Sequence, residues 1–314
     1  MIKADIAARE RTIDEISCLG LDTNLRDLEV QGYTVVNGVL TKDQIEKAKD
    51  AILRRVKKKT GKSIDPVNAS ADDFRGMEYQ PYLIFDDPVF PEILLEPKTL
   101  ALVTYLLGES CVLSSMGSHF RGPGGMPLPL HADGGVPGMS EVSQVANCNY
   151  ALTEYSEESG ALIMVPGSHR MNRQPSMSEN WRSNNRSLAE VTAQVLDPEE
   201  LATLDWQAPK GGVTLNIEPG DAVIWHGNTW HGGWRRDLPG LRMNLAAYFC
   251  RPHMATQELR GDDRYPEVFE RYADRPRFAR LLGKHVFNGW REEGPDMNGS
   301  VSYTHLTLPT TTIV

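Results

Sequence analysis

The sequence is poor in the features that would commit it to several large protein classes. It has no run approaching the ~18–20 uninterrupted apolar residues of a membrane span. Its opening stretch, Met1 to Glu15, carries Lys3, Asp5, Glu10 and Arg11 and no apolar segment, so no secretory signal is expected there and a cytoplasmic protein follows. Cysteines are few: Cys18, Cys111, Cys148 and Cys250 are widely scattered with no CxxC pair. That is neither a disulfide framework nor a zinc ribbon, and reduced thiols are expected. Basic charge is in deficit, with 33 Lys and Arg against 42 Asp and Glu and a net charge of −9. This argues against the basic surface that non-specific nucleic-acid binding needs. No nucleic-acid partner and no membrane partner are expected. A Gly-rich phosphate loop of the Walker or dinucleotide type is missing, and so is any internal repeat.

What is present suffices for a sizeable core: 314 residues, 40% of them hydrophobic. The first third reads as mostly helical. Thr41-Lys42-Asp43-Gln44 has the form of a capping box, and Ile45, Ala48, Ile52 and Val56 follow at helical spacing. This predicts a helix to about Lys59, ending before Gly61. Its basic end, from Arg54 to Lys62, reads either as a phosphate patch or, more simply, as a solvated face favoured by the helix macrodipole. A second helix is predicted to open at Pro97 and stop at Gly108. Gly and Pro cluster between residues 117 and 139, which predicts turns there. Short apolar runs separated by turn signals also appear beyond residue 111, among them Val145–Leu152, Asp221–Trp225 and Arg242–Phe249. Strands at this spacing suggest a sandwich or barrel rather than βαβ units.

The chemistry concentrates in two places. In His131-Ala132-Asp133 an extended backbone projects the imidazole and the carboxylate to one side, where both can ligate one divalent metal. About a hundred residues on, His231 would complete a two-His-one-carboxylate set, which leaves positions open and suits non-haem Fe(II). His226 competes for that third place, although on a regular strand it would face away from His231. Arg242 offers a bidentate partner for the distal end of a dicarboxylate, and Asn244 shares its strand face. Asn147 and Asn149 share a face of an earlier strand. His119 and Arg121 read equally as pocket or as structural residues. The default for Trp225, Trp230 and Trp234 is core or rim, and for His169 a structural hydrogen-bonder. Tyr79 and Tyr82 are assigned to a segment covering the pocket mouth.

Taken in order, His131-Ala132-Asp133, Glu158-Ser159-Gly160-Ala161-Leu162, Pro166-Gly167-Ser168-His169, Gly220-Asp221, His231-Gly232 and Arg242 resemble the phytanoyl-CoA dioxygenase family. Gly32 to Leu40 is similar to that family's N-terminal strand, and the resemblance runs from about residue 25 to 255. It implies a mainly β fold with flanking helices around a double-stranded β-helix (jelly-roll, cupin-like) core. His131, Asp133 and His231 would be the catalytic ligands of Fe(II), and Arg242 would bind the carboxylate of 2-oxoglutarate. Asn244 and Asn149 are added as co-substrate contacts, and O2 is the second co-substrate. The implied reaction is hydroxylation of a small organic substrate with release of succinate and CO2. Related halogenases lack the metal carboxylate, so Asp133 speaks for hydroxylation. Residue 132, often polar in better-known members, is Ala here, which removes one polar contact beside the metal.

Two other readings remain open at this point: a cupin-like metalloenzyme that does not use 2-oxoglutarate, and a non-catalytic jelly-roll ligand-binding protein. The expected organisation is a single domain over 1–300, with a helical part at about 1–110, the jelly-roll core at about 111–255 and C-terminal helices at about 256–300. Residues 301–314 are expected to be a non-native tail, because Val301 to Thr311 looks like a translated sequencing-library adapter. His305 is set aside as a ligand on that ground.

Overall fold

Local signals act as the sequence suggests in the helical layer. Thr41 accepts a hydrogen bond from the Gln44 backbone while the Gln44 side chain returns to the Thr41 N–H, and helix α3 (Lys42–Thr60) starts there. Gly61 ends it in the left-handed conformation, which a glycine adopts without steric penalty. Pro97 opens and Gly108 closes α5 (Pro97–Leu107). At the basic end of α3, Arg54 pairs with Asp87 at 2.8 Å and Arg55 with Asp86. Lys57, Lys58 and Lys59 stay exposed, in keeping with the solvated-face reading.

The structure is a computed structural model that describes residues 3–73, 76, 78–134, 141–194, 196–197, 200–201, 203–258, 266–284, 290–291 and 294–295. Segment 301–314, including His305, lies outside the described residues. Two helices, α1 (Lys3–Cys18) and α2 (Asp22–Gln31), precede β1 (Tyr33–Val36). After α3 come β2 (Tyr79–Gln80), α4 (Val89–Leu94), α5, β3 (Val112–His119), β4 (Leu128–His131), β5 (Val145–Ala151) and β6 (Leu162–Met164). A small three-stranded sheet follows, ordered β8-β7-β9, of β7 (Arg182–Ser183), β8 (Arg186–Ser187) and β9 (Trp206–Gln207), with α6 (Leu188–Thr192) between β8 and β9 in the chain. The chain returns through β10 (Val213–Thr214), β11 (Ala222–His226), β12 (His231–Gly233) and β13 (Asn244–Cys250). Helices α7 (Pro266–Arg271) and α8 (Pro276–Leu281) follow.

Two sheets form the double-stranded β-helix, a six-stranded one ordered β1-β11-β5-β13-β3-β2 and a four-stranded one ordered β10-β6-β12-β4. Side chains alternate across each strand, so the large sheet has two different faces. Its outer face, with Cys148, Tyr150, Ile224, Leu245, Ala247 and Phe249, is buried under α3, α4 and α5. Its inner face meets the small sheet, where Val223 and Trp225 pack with Leu162 and Met164. Each such large apolar side chain contributes roughly 1.5–3 kcal/mol on full burial. The division at about residue 110 is not clean, because β1 from the helical part is the edge strand beside β11. Tyr33, Thr34, Val35 and Val36 are all good strand formers, and antiparallel pairing with β11 fixes them in the sheet. Among the described residues no helix is long and apolar enough to cross a membrane.

Candidate active site

The inner face of the large sheet supplies the floor of the site in rows set by strand register. One row places Trp225, Asn147, Tyr248 and Ser115 side by side. Two residues along each strand, the next row is Val223, Asn149, Ala246 and Gly117. Ala246 and Gly117 are small, and the Tyr79 ring fills the space: a Cβ on residue 117 would lie 2.7 Å from that ring. The small sheet supplies the opposite wall. There His131 of β4 and His231 of β12 are direct cross-strand partners.

That pairing brings the two imidazoles to 4.2 Å between ring centroids. Each uses Nδ1 in the same way, toward the carbonyl two residues earlier: Pro129 at 2.8 Å for His131 and Thr229 at 3.0 Å for His231. A carbonyl can only accept, so Nδ1 carries the proton and Nε2 keeps its lone pair. Both Nε2 atoms face Asp133, at 3.8 Å from Oδ1 and 3.6 Å from Oδ2 respectively. One donor atom from each of the three residues lies within 4.8 Å of the other two. Burial pushes the His231 pKa down, against the opposing pull of Asp133, and so favours the neutral ring that a metal needs. Trp225 Nε1 donates to Asp133 Oδ2 at 3.0 Å and aims the carboxylate. Trp225, expected as core or rim, is buried with its indole N–H turned into the site. Ala132, between the two ligands, turns the other way into a cluster with Leu130, Val165 and Trp230. A small apolar side chain fits that cluster, and the position faces away from the ligand side.

Two guanidiniums share the same cavity. Arg121 and Arg242 are backbone bridge partners. Arg121 Nη1 donates to the Trp234 carbonyl at 2.5 Å, and Arg242 Nη1 to the Gly160 carbonyl. Arg242 lies over the Tyr155 ring at 4.6 Å, and its Nε is buried without a hydrogen-bond partner. Burial and the neighbouring Arg242 push the Arg121 pKa down to about 9. Gly160 makes the crowding possible: its φ is 85°, and a Cβ there would meet Arg121 Cδ at 2.7 Å. A buried and a half-buried cation, bonded among the described residues to carbonyls rather than carboxylates, call for an anion from outside.

The remaining expected residues line the cavity with these arginines. Asn149 Oδ1 accepts from the Tyr155 hydroxyl at 3.3 Å, and Asn244 Oδ1 accepts from the His119 N–H at 2.7 Å. His119 opens into the cavity and stacks on Tyr79 at 4.5 Å. Although its ring is exposed to the cavity, desolvation by the surrounding wall, with Arg242 and Arg121 close by, lowers its pKa to about 4. Asn147 also lines the cavity, and its buried carboxamide oxygen has no partner. The cavity encloses about 900 Å³, with the half-exposed rings of Tyr79 and Tyr82 on its wall.

His226 lies elsewhere. It lines a separate cavity of about 440 Å³ with His169, Glu141 and Tyr105. Its Nδ1 accepts from the Asn228 N–H at 3.0 Å, and burial, with His169 nearby, lowers its pKa to about 4. His169 lies against the backbone of Glu29 and Gln31, whose hydrogen bonding opposes the burial that lowers its pKa, in keeping with a structural role. The partners of the metal-site residues that sequence reasoning missed are Trp225 and the carbonyls of Pro129 and Thr229. The carbonyls could have been found, since each lies two residues before its histidine; the Trp225 contact spans 92 positions and carries no local signal.

Residues 28–236 match the family described as Phytanoyl-CoA dioxygenase (PhyH). The dioxygenase af480 of Aspergillus fumigatus is 24% identical over 249 residues, 75% of this chain and 69% of that protein. An ectoine dioxygenase of Bordetella parapertussis is 33% identical over 117 residues; the match spans 37% of this chain and 35% of that protein. Among solved structures, HygX of Streptomyces hygroscopicus with nickel and 2-oxoglutarate bound superposes with a TM-score of 0.55 at 19% identity, covering 75% of this chain and 88% of that one. The non-heme alpha ketoglutarate dependent carbocyclase SnoK from nogalamycin biosynthesis gives 0.52 at 21% identity, covering 79% and 90%. At such identities these likenesses show the fold.

Proposed function

The chain belongs to the phytanoyl-CoA dioxygenase family, and from that premise we propose that it is an Fe(II)- and 2-oxoglutarate-dependent dioxygenase acting on a small organic molecule. His131, Asp133 and His231 hold the metal through Nε2, carboxylate and Nε2. Arg242 takes the far carboxylate of 2-oxoglutarate, and Asn149 and Asn244 border that anion. When bound, iron and 2-oxoglutarate supply the oxidising power, with O2 consumed, succinate and CO2 released and one oxygen atom delivered to the substrate. The protein's own residues position and insulate. The Pro129 and Thr229 carbonyls fix the ligand tautomers, and Trp225 keeps the Asp133 carboxylate turned toward the histidines. The sheet rows and the Tyr79 and Tyr82 rings limit what else enters.

The single observation that carries this reading is the juxtaposition of a three-ligand cluster and an anion-seeking arginine pair in one cavity. It favours 2-oxoglutarate use over a cupin-like metalloenzyme, which has no need of Arg242. A cavity of about 900 Å³ fits a small substrate beside the co-substrate. The relative HygX, seen with hygromycin B bound, supports a small-molecule substrate. Residues 1–300 are taken as one working unit, in support of which α3, α4 and α5 cover the back of the very sheet that floors the site. The proposed setting is the cytoplasm, where the four free cysteines stay reduced; cell fractionation tests it.

Anaerobic addition of Fe(II) and 2-oxoglutarate should produce the charge-transfer absorption of a chelated 2-oxo acid. No such band in the wild type, or a band that survives His231→Ala combined with Arg242→Ala, overturns the assignment.

A further inference from the structure

Strand β4 carries His131, with Asp133 two residues on, yet among the described residues it is the edge strand of the small sheet. An open edge exposes a row of unpaired N–H and C=O groups and is the loosest part of a sheet. Here that edge is closed by side chains instead of a strand. Gln174 Oε1 accepts from the Ala132 N–H at 2.9 Å, and Gln174 Nε2 donates to the Ala132 carbonyl at 2.7 Å. Asn180 does the same two residues earlier, accepting from the Leu130 N–H and donating to its carbonyl, each at 3.0 Å. Trp181 Nε1 donates to the Leu128 carbonyl at 2.8 Å. Leu128, Leu130 and Ala132 thus have backbone groups bonded by side chains on the side that carries no strand, so three side chains imitate a neighbouring strand. A carboxamide suits the task because it is donor and acceptor at once, and only one orientation satisfies both bonds.

The loop that presents these side chains is itself secured. Arg173 makes a two-pronged contact with Glu179, at 2.8 Å on each arm, and stacks over Trp230 at 4.6 Å. Trp230 Nε1 donates to the Arg173 carbonyl at 2.7 Å. On the far side of Asp133, the Gly134 N–H donates to the Gly227 carbonyl at 2.7 Å. The segment from His131 to Gly134 is therefore pinned from both ends.

We propose that Gln174 is a positioning residue of the metal site: by holding the backbone of Ala132 from both sides, it sets the splay of His131 and Asp133 and hence the affinity and ligand field of the metal they take. This rests on the assignment of His131, Asp133 and His231 as ligands. Gln174 is exposed, so water satisfies the Ala132 groups when the carboxamide is removed. Its loss costs the fold little, whereas a ligand pair needs its geometry held within about 0.5 Å. Metal affinity and overall stability should therefore separate.

The test uses Co(II) as the probe on the full chain, followed by its visible d–d absorption without turnover. Gln174→Ala is expected to weaken Co(II) binding about tenfold and to alter the band envelope, while the metal-free melting temperature stays close to wild type. Gln174→Glu keeps the bond from the Ala132 N–H and loses the one to the carbonyl, so it should also alter the band envelope; it serves if the alanine variant does not fold. Wild-type Co(II) affinity and spectrum in a folded variant overturn the proposal alone, provided His231→Ala abolishes binding. If the wild type fails to bind Co(II), or His231→Ala binds it equally well, the ligand assignment falls and this inference falls with it.

Discussion

His131 and His231 face each other with ring centroids 4.2 Å apart; His169 and His226 do so at 5.4 Å in a different cavity. Both pairs join residues distant in sequence. At the first pair, both Nδ1 atoms are committed to carbonyls, both Nε2 atoms are left bare, and a carboxylate lies between them. At the second pair, His226 Nδ1 accepts from a backbone N–H, and its Nε2 lies 3.3 Å from the Glu141 carbonyl. A ring whose Nδ1 accepts from an N–H carries its proton on Nε2, facing the carbonyl, and has no lone pair left for a metal. The difference teaches that proximity of histidines is not what makes a ligand pair. The bond that fixes the tautomer does, together with an acid to complete the set.

The largest test of that contrast is His231→Ala against His226→Ala. Loss of a ligand should reduce metal binding by more than the ~100-fold that removal of an outer partner causes, and 2-oxoglutarate turnover should vanish with it. His226→Ala should keep the 2-oxo acid absorption band. Equal loss in both variants would erase the distinction. Next, Arg242→Ala should raise the KM for 2-oxoglutarate about 10- to 100-fold, the equivalent of losing a charged hydrogen bond of ~1.5–3 kcal/mol. Metal affinity measured without 2-oxoglutarate should hold. Smaller again is Trp225→Phe, which keeps the packing and deletes the donor to Asp133 Oδ2; metal affinity should fall about tenfold.

The smallest effect belongs to the second pair and shows only in stability. Folded His226 titrates at about 4, against an ordinary 6.5. Between those values the unfolded chain binds a proton that the folded chain does not, so stability rises with pH. The contribution is complete above about 6.5 and is lost as pH falls toward 4, amounting to roughly 1–3 kcal/mol. Urea unfolding of the metal-free protein at pH 7 and pH 5 should show this slope, and His226→Gln should flatten it. An unchanged slope would place the acid sensitivity elsewhere, for instance at His119, which is also lowered to about 4.

Much of this site is legible along the chain because its signals are local. The i, i+2 spacing of His131 and Asp133 already puts both on one side, and the capping box at Thr41 and the Pro97–Gly108 bounds give two helices. The order of motifs from Gly32 to Arg242 gives the family. What could not be read are contacts that join residues far apart: Trp225 to Asp133 across 92 positions, Gln174 to Ala132 across 42, and Arg121 beside Arg242. Ala132 shows the limit within a motif. Its neighbours in sequence are the proposed ligands, while its side chain belongs to the cluster with Trp230.

The sequence by itself determined which residue types carry the chemistry and which side of a strand each occupies, because alternation and capping are properties of a few adjacent residues. The resemblance already names His231 over His226 for the third place; the tertiary structure supplies the physical reason. Strand pairing places His231 opposite His131, whereas His226, the last residue of β11, alternates to the face opposite Trp225 and lines another cavity. A one-residue slip of register would reverse every inward side chain, so the site exists only once the sheets have chosen their partners.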